Sequence, residues 1–207
     1  MSTMTRRALL AAAPAWAAEP GFTSLVPVKD IAEHWTAERA PADIWSLQPD
    51  GVIACKGKPN GFLRSKQSYK NYIFRAEWRF DPNGWTRGPD ATSDDWPNAG
   101  FFIHAQETRD GWPRSFEVQG HWSEAGSLFG VRGGRIGGAT RGPFVKKRPK
   151  LGSWDRIEVT TRGKEVWIKL NGEAVNHGFG ADPSEGNICL QAEGWPVFYR
   201  RMRIRLL

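Results

Sequence analysis

The clearest regularity in the chain is an alternation of apolar and polar positions with period two. From Tyr72 to Phe80, the residues Phe74, Ala76, Trp78 and Phe80 alternate with Arg75, Glu77 and Arg79. That is the pattern of a strand with one buried face. Similar runs occupy Gly100–Gln106, Ser115–His121, Trp154–Arg162, Glu165–Leu170, Asn187–Glu193 and Phe198–Leu207. Shorter ones lie at Trp45–Gln48, Val52–Lys56, Phe62–Ser65, Ser127–Val131 and Glu173–Asn176. Turn chemistry separates them: Asp50-Gly51 and Asn171-Gly172 are tight-hairpin dipeptides, and Lys58-Pro59-Asn60-Gly61 is a second kind of turn. Helical periodicity is nearly absent, with only Pro27–Glu38 predicting a turn or two of helix. Asp81–Pro97, rich in Gly, Pro and Asp, reads as a long loop. Many short strands with regular turns predict an all-β, antiparallel sandwich or barrel.

The stretch Asn98–His121 carries the candidate chemistry. Its two alternating runs predict neighbouring antiparallel strands. Strict alternation puts Phe116 and Val118 on one face and Ser115, Glu117, Gln119 and His121 on the other. In the partner strand Phe101 and Ile103 share a face, with Phe102, His104 and Gln106 opposite. Glu117, Gln119 and His104 are therefore expected together on the polar side of one sheet, with Phe102, Trp112 and Trp122 interleaved. The plain alternative is a wetted outer face, which antiparallel sheets commonly have.

Composition changes the picture in three ways. Eleven Trp and 11 Phe in 207 residues supply core aromatics, and also flat surfaces on which sugar rings stack. The net charge of +7 is dispersed apart from Lys146–Arg148 and the Arg200–Arg205 run, so no basic stripe suited to nucleic acid forms. Residues 1–19 read as an export leader: Arg6-Arg7, the apolar run Ala8–Ala13, then Ala15-Trp16-Ala17 as an A-x-A cleavage pattern. Thr5-Arg6-Arg7-Ala8-Leu9-Leu10 also resembles a twin-arginine signal. The apolar run is too short to span a bilayer. The expectation is a periplasmic or secreted protein with a single domain over 20–207 and no stable membrane insertion. Cleavage behind Ala17 takes the 29 basic residues to 27 against 22 acidic ones, a charge of +5.

Other features carry less. Cys55 and Cys189 are expected as two buried free thiols, a disulfide being the alternative, and the absence of C-x-x-C spacing gives no support for structural zinc. Asp90, Asp94 and Asp95 match no calcium-loop spacing. Gly130–Gly142 lacks the Lys-Ser/Thr ending of a phosphate loop and is expected to act as a flap over the polar face. There is no G-x-S-x-G elbow, no H-E-x-x-H zinc motif and no E-x-D-x-x-E glucanase strand.

Several stretches resemble the 3-keto-disaccharide hydrolase domain family. They are GVIACKGKPNGFLRSKQSYKNYIFRAEWRF (51–80), NAGFFIHAQ (98–106), WPRSFEVQG (112–120), GSLFGV (126–131), Trp154 with IEVTTRGKEVWIKLNGEAVN (157–176), and GNICLQAEGWPVFYRRMRIRLL (186–207). The resemblance implies a concanavalin A-like jelly-roll sandwich, usually exported, acting on glycosides oxidised at C3. A ketone at C3 acidifies the C2 hydrogen; a base removes it, the enolate expels the glycosidic oxygen from C1, and water adds to the enone. Such a site needs one base, one acid and donors for the enolate. On this reading Glu117 is the base and His104 the acid. Gln119 and Arg79 hold hydroxyls or the enolate oxygen, Gln191 and Glu193 extend the same face, and Glu77 is the next candidate base. No cofactor is required, although His104, Glu117 and Glu77 are also a possible divalent-metal set. The rival reading is a non-catalytic carbohydrate-binding module stacking sugars on Trp112, Trp122 or Trp195.

Overall fold

The computed structural model describes residues 19–84, 96–108, 110–144 and 149–207. The leader up to residue 18, the Asp90, Asp94 and Asp95 group and the Lys146–Arg148 run lie outside the described residues. The strands are β1 (Thr23–Ser24), β2 (Trp35–Glu38), β3 (Trp45–Leu47), β4 (Ile53–Cys55), β5 (Gly61–Tyr69), β6 (Tyr72–Phe80), β7 (Gly100–Ala105) and β8 (Ser115–Gln119). They continue as β9 (Leu128–Val131), β10 (Arg135–Gly137), β11 (Asp155–Arg162), β12 (Glu165–Leu170), β13 (Glu173–Asp182), β14 (Gly186–Ala192) and β15 (Val197–Leu206). A large sheet runs β10-β13-β12-β11-β6-β15-β4-β3, with β1 on β15; a small sheet runs β2-β5-β14-β7-β8-β9. The described pairings are antiparallel, as expected of a jelly-roll sandwich.

The predicted hairpins form where the turn residues allow. Asn171 and Gly172 both take positive φ, 54° and 95°, the twist that matches a two-residue connection between β12 and β13. Between the sheets the inward residues of β6, β7, β8 and β15 interdigitate. Phe101 sits at the centre, meeting Phe74, Trp78 and Tyr199 with ring centroids 5.8, 5.7 and 5.7 Å away. Phe116 and Val118 are fully buried in the same core.

Three expectations need revision. Pro27–Glu38 is not helical beyond one 3₁₀ turn, Ile31–Glu33, capped by Asp30; Trp35–Glu38 is the edge strand β2. Burial of Trp35 in the intersheet core outweighs the weak helical pattern. The Gly130–Gly142 stretch is no free flap: it ends β9 in the small sheet, turns at Arg132-Gly133 and enters the large sheet as β10 against β13. The third revision is a bulge. Asn187 of β14 pairs with Ala105, but Cys189 pairs with Phe102, so β7 holds one extra residue there. His104 absorbs it with φ 51°.

The two cysteines are free and buried, Cys55 in the large sheet and Cys189 in the small one. Burial pushes the Cys55 thiol up to about 12 and raises Cys189 as well.

Candidate active site

The outer face of the small sheet is built from alternate residues of β2, β5, β14, β7, β8 and β9. One cross-strand row reads Thr36, Arg64, Cys189, Phe102, Glu117 and Phe129. In the next row Glu38 faces Phe62, Phe62 faces Gln191, and Gly100 faces Gln119. Gly100 is small for a reason visible here: a Cβ on it would stand 2.6 Å from Gln191 Oε1. The missing side chain opens a notch into which Gln191 leans.

Aromatic rings form the floor. Phe62 and Phe102 meet edge to face at 6.0 Å, and Trp112 covers both, 5.9 Å from Phe62 and 5.3 Å from Phe102. The Arg39 guanidinium lies 4.7 Å over the Trp112 ring, and Arg141 lies 3.9 Å over Phe129. Arg64 is committed to Glu38 through bonds of 2.6 and 3.1 Å and to Ala105 O and Asn187 Oδ1 at 3.3 Å.

Against this floor Glu117 is 7% exposed and, among the described residues, has no salt bridge. Its carboxyl lies against the side chains of Gln191 and Gln119. Burial, reinforced by the neighbouring negative charge of Glu193, pushes it up to about 8. At neutral pH the acid therefore keeps its proton. Glu193, just past the end of β14, is also raised by burial, with Arg39 pulling it back. Gln119 is anchored, its Oε1 accepting from the His121 backbone N–H at 2.8 Å. Glu117, Gln119, Gln191, Glu193 and Trp112 thus share one face.

His104 does not join them. The bulge turns its ring inward, where it is fully buried and meets Tyr72 and Phe116 edge to face at 6.0 Å each. Its Nδ1 lies 3.2 Å from Pro183 O, a contact that protonates Nδ1 and leaves Nε2 without a partner. Burial lowers the imidazole to about 4, so it is neutral and remote from the outer face. The expectation of an acid at His104 assumed unbroken alternation, and one inserted residue reverses it.

Arg79 and Glu77 are on the outer face of the opposite sheet. Glu77 accepts from Arg200 Nε at 2.7 Å and Arg201 at 3.2 Å; Arg79 lies 4.0 Å over Phe198 and 5.2 Å over Trp154. The sandwich core separates both from Glu117. The metal set of His104, Glu117 and Glu77 fails for the same reason: its members occupy the core and two opposite faces. No group of three His, Cys, Asp or Glu side chains suited to a metal forms among the described residues. Trp122 follows β8 and stacks on Trp96 at 6.2 Å, its body against the intersheet core, as is that of Trp195. Among the three tryptophans proposed as platforms, Trp112 is the one whose ring packs on Phe62 and Phe102 of the candidate face.

Sequence reasoning missed Arg39, Arg141 and Phe62. Phe62-Leu63-Arg64 did carry a signal, since apolar residues at successive positions mark a strand with apolar cover on both faces. Arg141 falls in the Gly130–Gly142 stretch expected over the polar face, though its own role was not singled out; Arg39 had no signal. Two clefts lie elsewhere, one lined by Phe22, Val52 and Met202, the other by Trp35, Trp45 and Leu63; neither contains Glu117, Gln119 or Gln191.

Residues 21–205 match the family described as 3-keto-alpha-glucoside-1,2-lyase-like domain. The chain belongs to that family. No curated protein matches it. Among solved structures, one from Parabacteroides distasonis, provisionally named a glycosyl hydrolase, is 18% identical with a TM-score of 0.66, covering 90% of this chain and 99% of that one. A carbohydrate-binding module from Bacillus subtilis is 13% identical, TM-score 0.61, covering 83% and 95%. A β-glucanase from Bacillus licheniformis is 10% identical, TM-score 0.56, covering 84% and 92%. At these identities the likeness speaks for the fold, a concanavalin A-like sandwich. Family and fold together give a carbohydrate-directed domain of glycoside-hydrolase-like or carbohydrate-binding type.

Proposed function

We propose that the chain cleaves 3-keto-glycosides on the outer face of the small sheet, by removal of the C2 proton, expulsion of the C1 oxygen and hydration of the enone. The observation that carries this is Glu117: a carboxyl buried among aromatic rings, without a cation bonded to it, held ready to exchange a proton near neutral pH. Elimination from a 3-ketone needs only proton transfer and donors for an oxyanion. Gln119 and Gln191 supply amide groups beside the acid, and Trp112 supplies a stacking surface for the ring. The family description names a 1,2-lyase, the elimination half of this sequence. Hydration completes it as a net hydrolysis. The Arg6-Arg7 leader supports an exported setting for the reaction.

The test is incubation of the full chain with 3-keto-trehalose and a methyl 3-keto-glucoside, following release of 3-keto-glucose or the enone. Turnover is expected on the 3-ketones and not on their 3-hydroxy parents. The second reading, a carbohydrate-binding module, is favoured by the half-buried Trp112 beside the amides of this face and by the fold shared with such a module; binding without turnover across these substrates would establish it.

A further inference from the structure

The outer face of the large sheet is basic and carries an exposed tryptophan, and we propose that it holds a second, non-catalytic site, for an acidic glycan. An anionic group of the glycan, a carboxylate or a sulfate ester, enters a recess among Arg75, Arg156, Lys169 and Arg203. A neighbouring sugar ring stacks on Trp167. The inference does not depend on the reaction proposed above; it takes only the carbohydrate-directed character of the domain as given.

One cross-strand row of that face reads Arg203, Arg75, Glu158 and Lys169, on β15, β6, β11 and β12. The next reads Arg200, Glu77 and Arg156. Arg203 and Arg75 stand directly opposite each other, a pairing of like charges that costs stability in a sheet. Carboxylates offset it only in part. Glu19 is shared by Arg75 and Arg203, Glu158 by Arg75 and Lys169, and Glu77 by Arg200 and Arg201, so three carboxylates serve five cations. Arg156 leans on the β12–β13 turn, its Nη2 3.4 Å from where a Cβ on Gly172 would stand. Members of both rows wall a recess of about 220 Å³: Arg75, Arg156, Lys169 and Arg203, with Glu158 the single carboxylate in the lining. That is smaller than the roughly 300–1,000 Å³ of a pocket enclosing a whole small molecule, and suits one anionic group. The Arg203 side chain is only 9% exposed. Burial, and then the charge of Arg75, hold it below its ordinary value although Glu19 pulls it up. An oxyanion in the recess would answer that excess of positive charge, and guanidinium forks match its geometry.

Trp167 gives the site its sugar half. It lies two residues before Lys169 on the same face of β12, roughly 7 Å along the strand. At 38% exposure it is the most exposed tryptophan among the described residues. Its indole stacks on His177 of β13, with centroids 5.2 Å apart and planes within 7°, and His177 leads on to Phe179 at 6.3 Å. Among the described residues no other ring and no cation is stacked on Trp167, which leaves ring surface for a sugar. A lone inorganic anion has no use for that ring. A flat bilayer surface does not reach Arg203, sunk as it is in the recess. Nucleic acid wants cations in a continued stripe, but past Trp167 the signs are mixed, Glu165 bonding His177 and facing Arg162.

The experiment is calorimetric titration of the full chain with a galacturonate trisaccharide, a chondroitin sulfate tetrasaccharide, neutral maltotetraose and sodium sulfate. Binding is expected to one or both acidic glycans, the carboxylate and sulfate arms showing which anion is taken. It should weaken as salt passes about 0.1 M, where the Debye length is ~10 Å. Arg156→Gln combined with Lys169→Gln is expected to lose about 10-fold or more, the scale of a charge-assisted hydrogen bond. If the double variant melts below wild type, Lys169→Gln alone takes its place, with a loss of about 3-fold expected. Trp167→Ala should lose about 3–10-fold on the oligosaccharides and leave sulfate binding unchanged, and Trp167→Phe should restore most of the loss. Maltotetraose bound as tightly as the acidic glycans overturns the proposal. So does sulfate alone matching them with Trp167→Ala silent. Unchanged glycan binding in the charge variant overturns the location and puts the glycan elsewhere, such as the Trp112 face. Tighter binding to phosphatidylglycerol vesicles or to a single-stranded DNA oligomer, or no binding to any probe, overturns it as well. None of these outcomes touches the 3-keto-glycoside reaction, whose own assay is turnover.

Discussion

Both outer faces of this sandwich carry glutamates, and the small sheet, where Glu38 holds Arg64, also keeps two that go without an ion pair. On the large sheet Glu77 holds Arg200 and Arg201, and Glu158 holds Arg75 and Lys169 at 2.6 and 3.0 Å. Glu19 takes Arg75 and Arg203. Hydrogen bonding from Arg75 lowers Glu19, and for Glu158 the bonds from Lys169 and Arg75 outweigh burial, which alone would raise it. Arginines there also lie over Phe22, Trp154 and Phe198. On the small sheet Glu117 and Glu193 have no such bonds, and both are raised. Paired carboxylates hold a surface together; an unpaired buried acid costs stability and is kept where proton transfer is useful. The sign of the shift, more than the number of glutamates, separates the paired face from the proposed catalytic one.

The largest expected effect breaks that comparison directly. Glu117→Gln should lower turnover of a methyl 3-keto-glucoside at least ~100-fold while melting no lower than wild type, because glutamine matches the shape of the protonated acid. Glu77→Gln should do the opposite: turnover stays within about twofold, and chemical denaturation reports a loss of about 1.5–3 kcal/mol, the range for hydrogen bonds to charged groups. Equal behaviour of the two variants would mean that pairing does not distinguish the faces.

His104 sharpens it from the core side. His104→Ala removes a buried ring and orphans Pro183 O, with an expected cost of roughly 2–4 kcal/mol by urea unfolding. Turnover per folded molecule should hold, since the ring faces away from Glu117. A turnover loss with unchanged stability would restore His104 to the site and discredit the bulge.

The faces should also differ in their dependence on pH. The folded value for Glu117, about 8, lies above the ordinary 4.5. The folded state therefore binds the proton more tightly, and the stability it confers, complete below 4.5, is lost as pH rises from about 4.5 towards 8. Glu158 and Glu19 are lowered, so their contribution is present above 4.5 and lost as pH falls below it. Melting curves of Glu117→Gln against wild type should diverge with rising pH over the first window, the variant gaining. Glu158→Gln should converge on wild type only in acid. A parallel offset across the whole range would show that Glu117 is not raised.

How far the chain itself foretold this depends on what each feature rests on. Strands such as Tyr72–Phe80 and Ser115–Gln119 were legible because burial of one face imposes a period of two, which any single segment displays. The grouping of Glu117 with Gln119 follows from the same rule. His104 was not legible because a bulge is settled by partners distant in sequence, here β14 and Pro183, with no glycine or proline at the spot to mark it. Arg79 and Glu77 were placed on a polar face correctly, but alternation cannot say which of two sheets that face belongs to. Arg39 and Arg141 arrive from connections whose course is set by tertiary contacts.

The smallest effect concerns the notch over Gly100. Gly100 is not in the left-handed region, so alanine there meets no backbone strain and the question is purely one of space. The new Cβ would stand 2.6 Å from Gln191 Oε1 and 3.0 Å from Val118 O. The carbonyl belongs to the β8 backbone and yields little, whereas the end of a glutamine side chain can swing aside. Gln191 is 1% exposed, so swinging means leaving the side of Glu117. Removing one amide from a buried acid changes substrate placement more than folding. Gly100→Ala is therefore expected to raise KM about tenfold with kcat within ~3-fold, roughly the worth of one hydrogen bond. Combining it with Gln191→Ala tests the route, because the smaller side chain no longer meets the Cβ. The double variant should then be no worse than Gln191→Ala alone. If the two losses multiply instead, Gly100 acts by some path other than Gln191, and the notch is not what holds the amide against the acid.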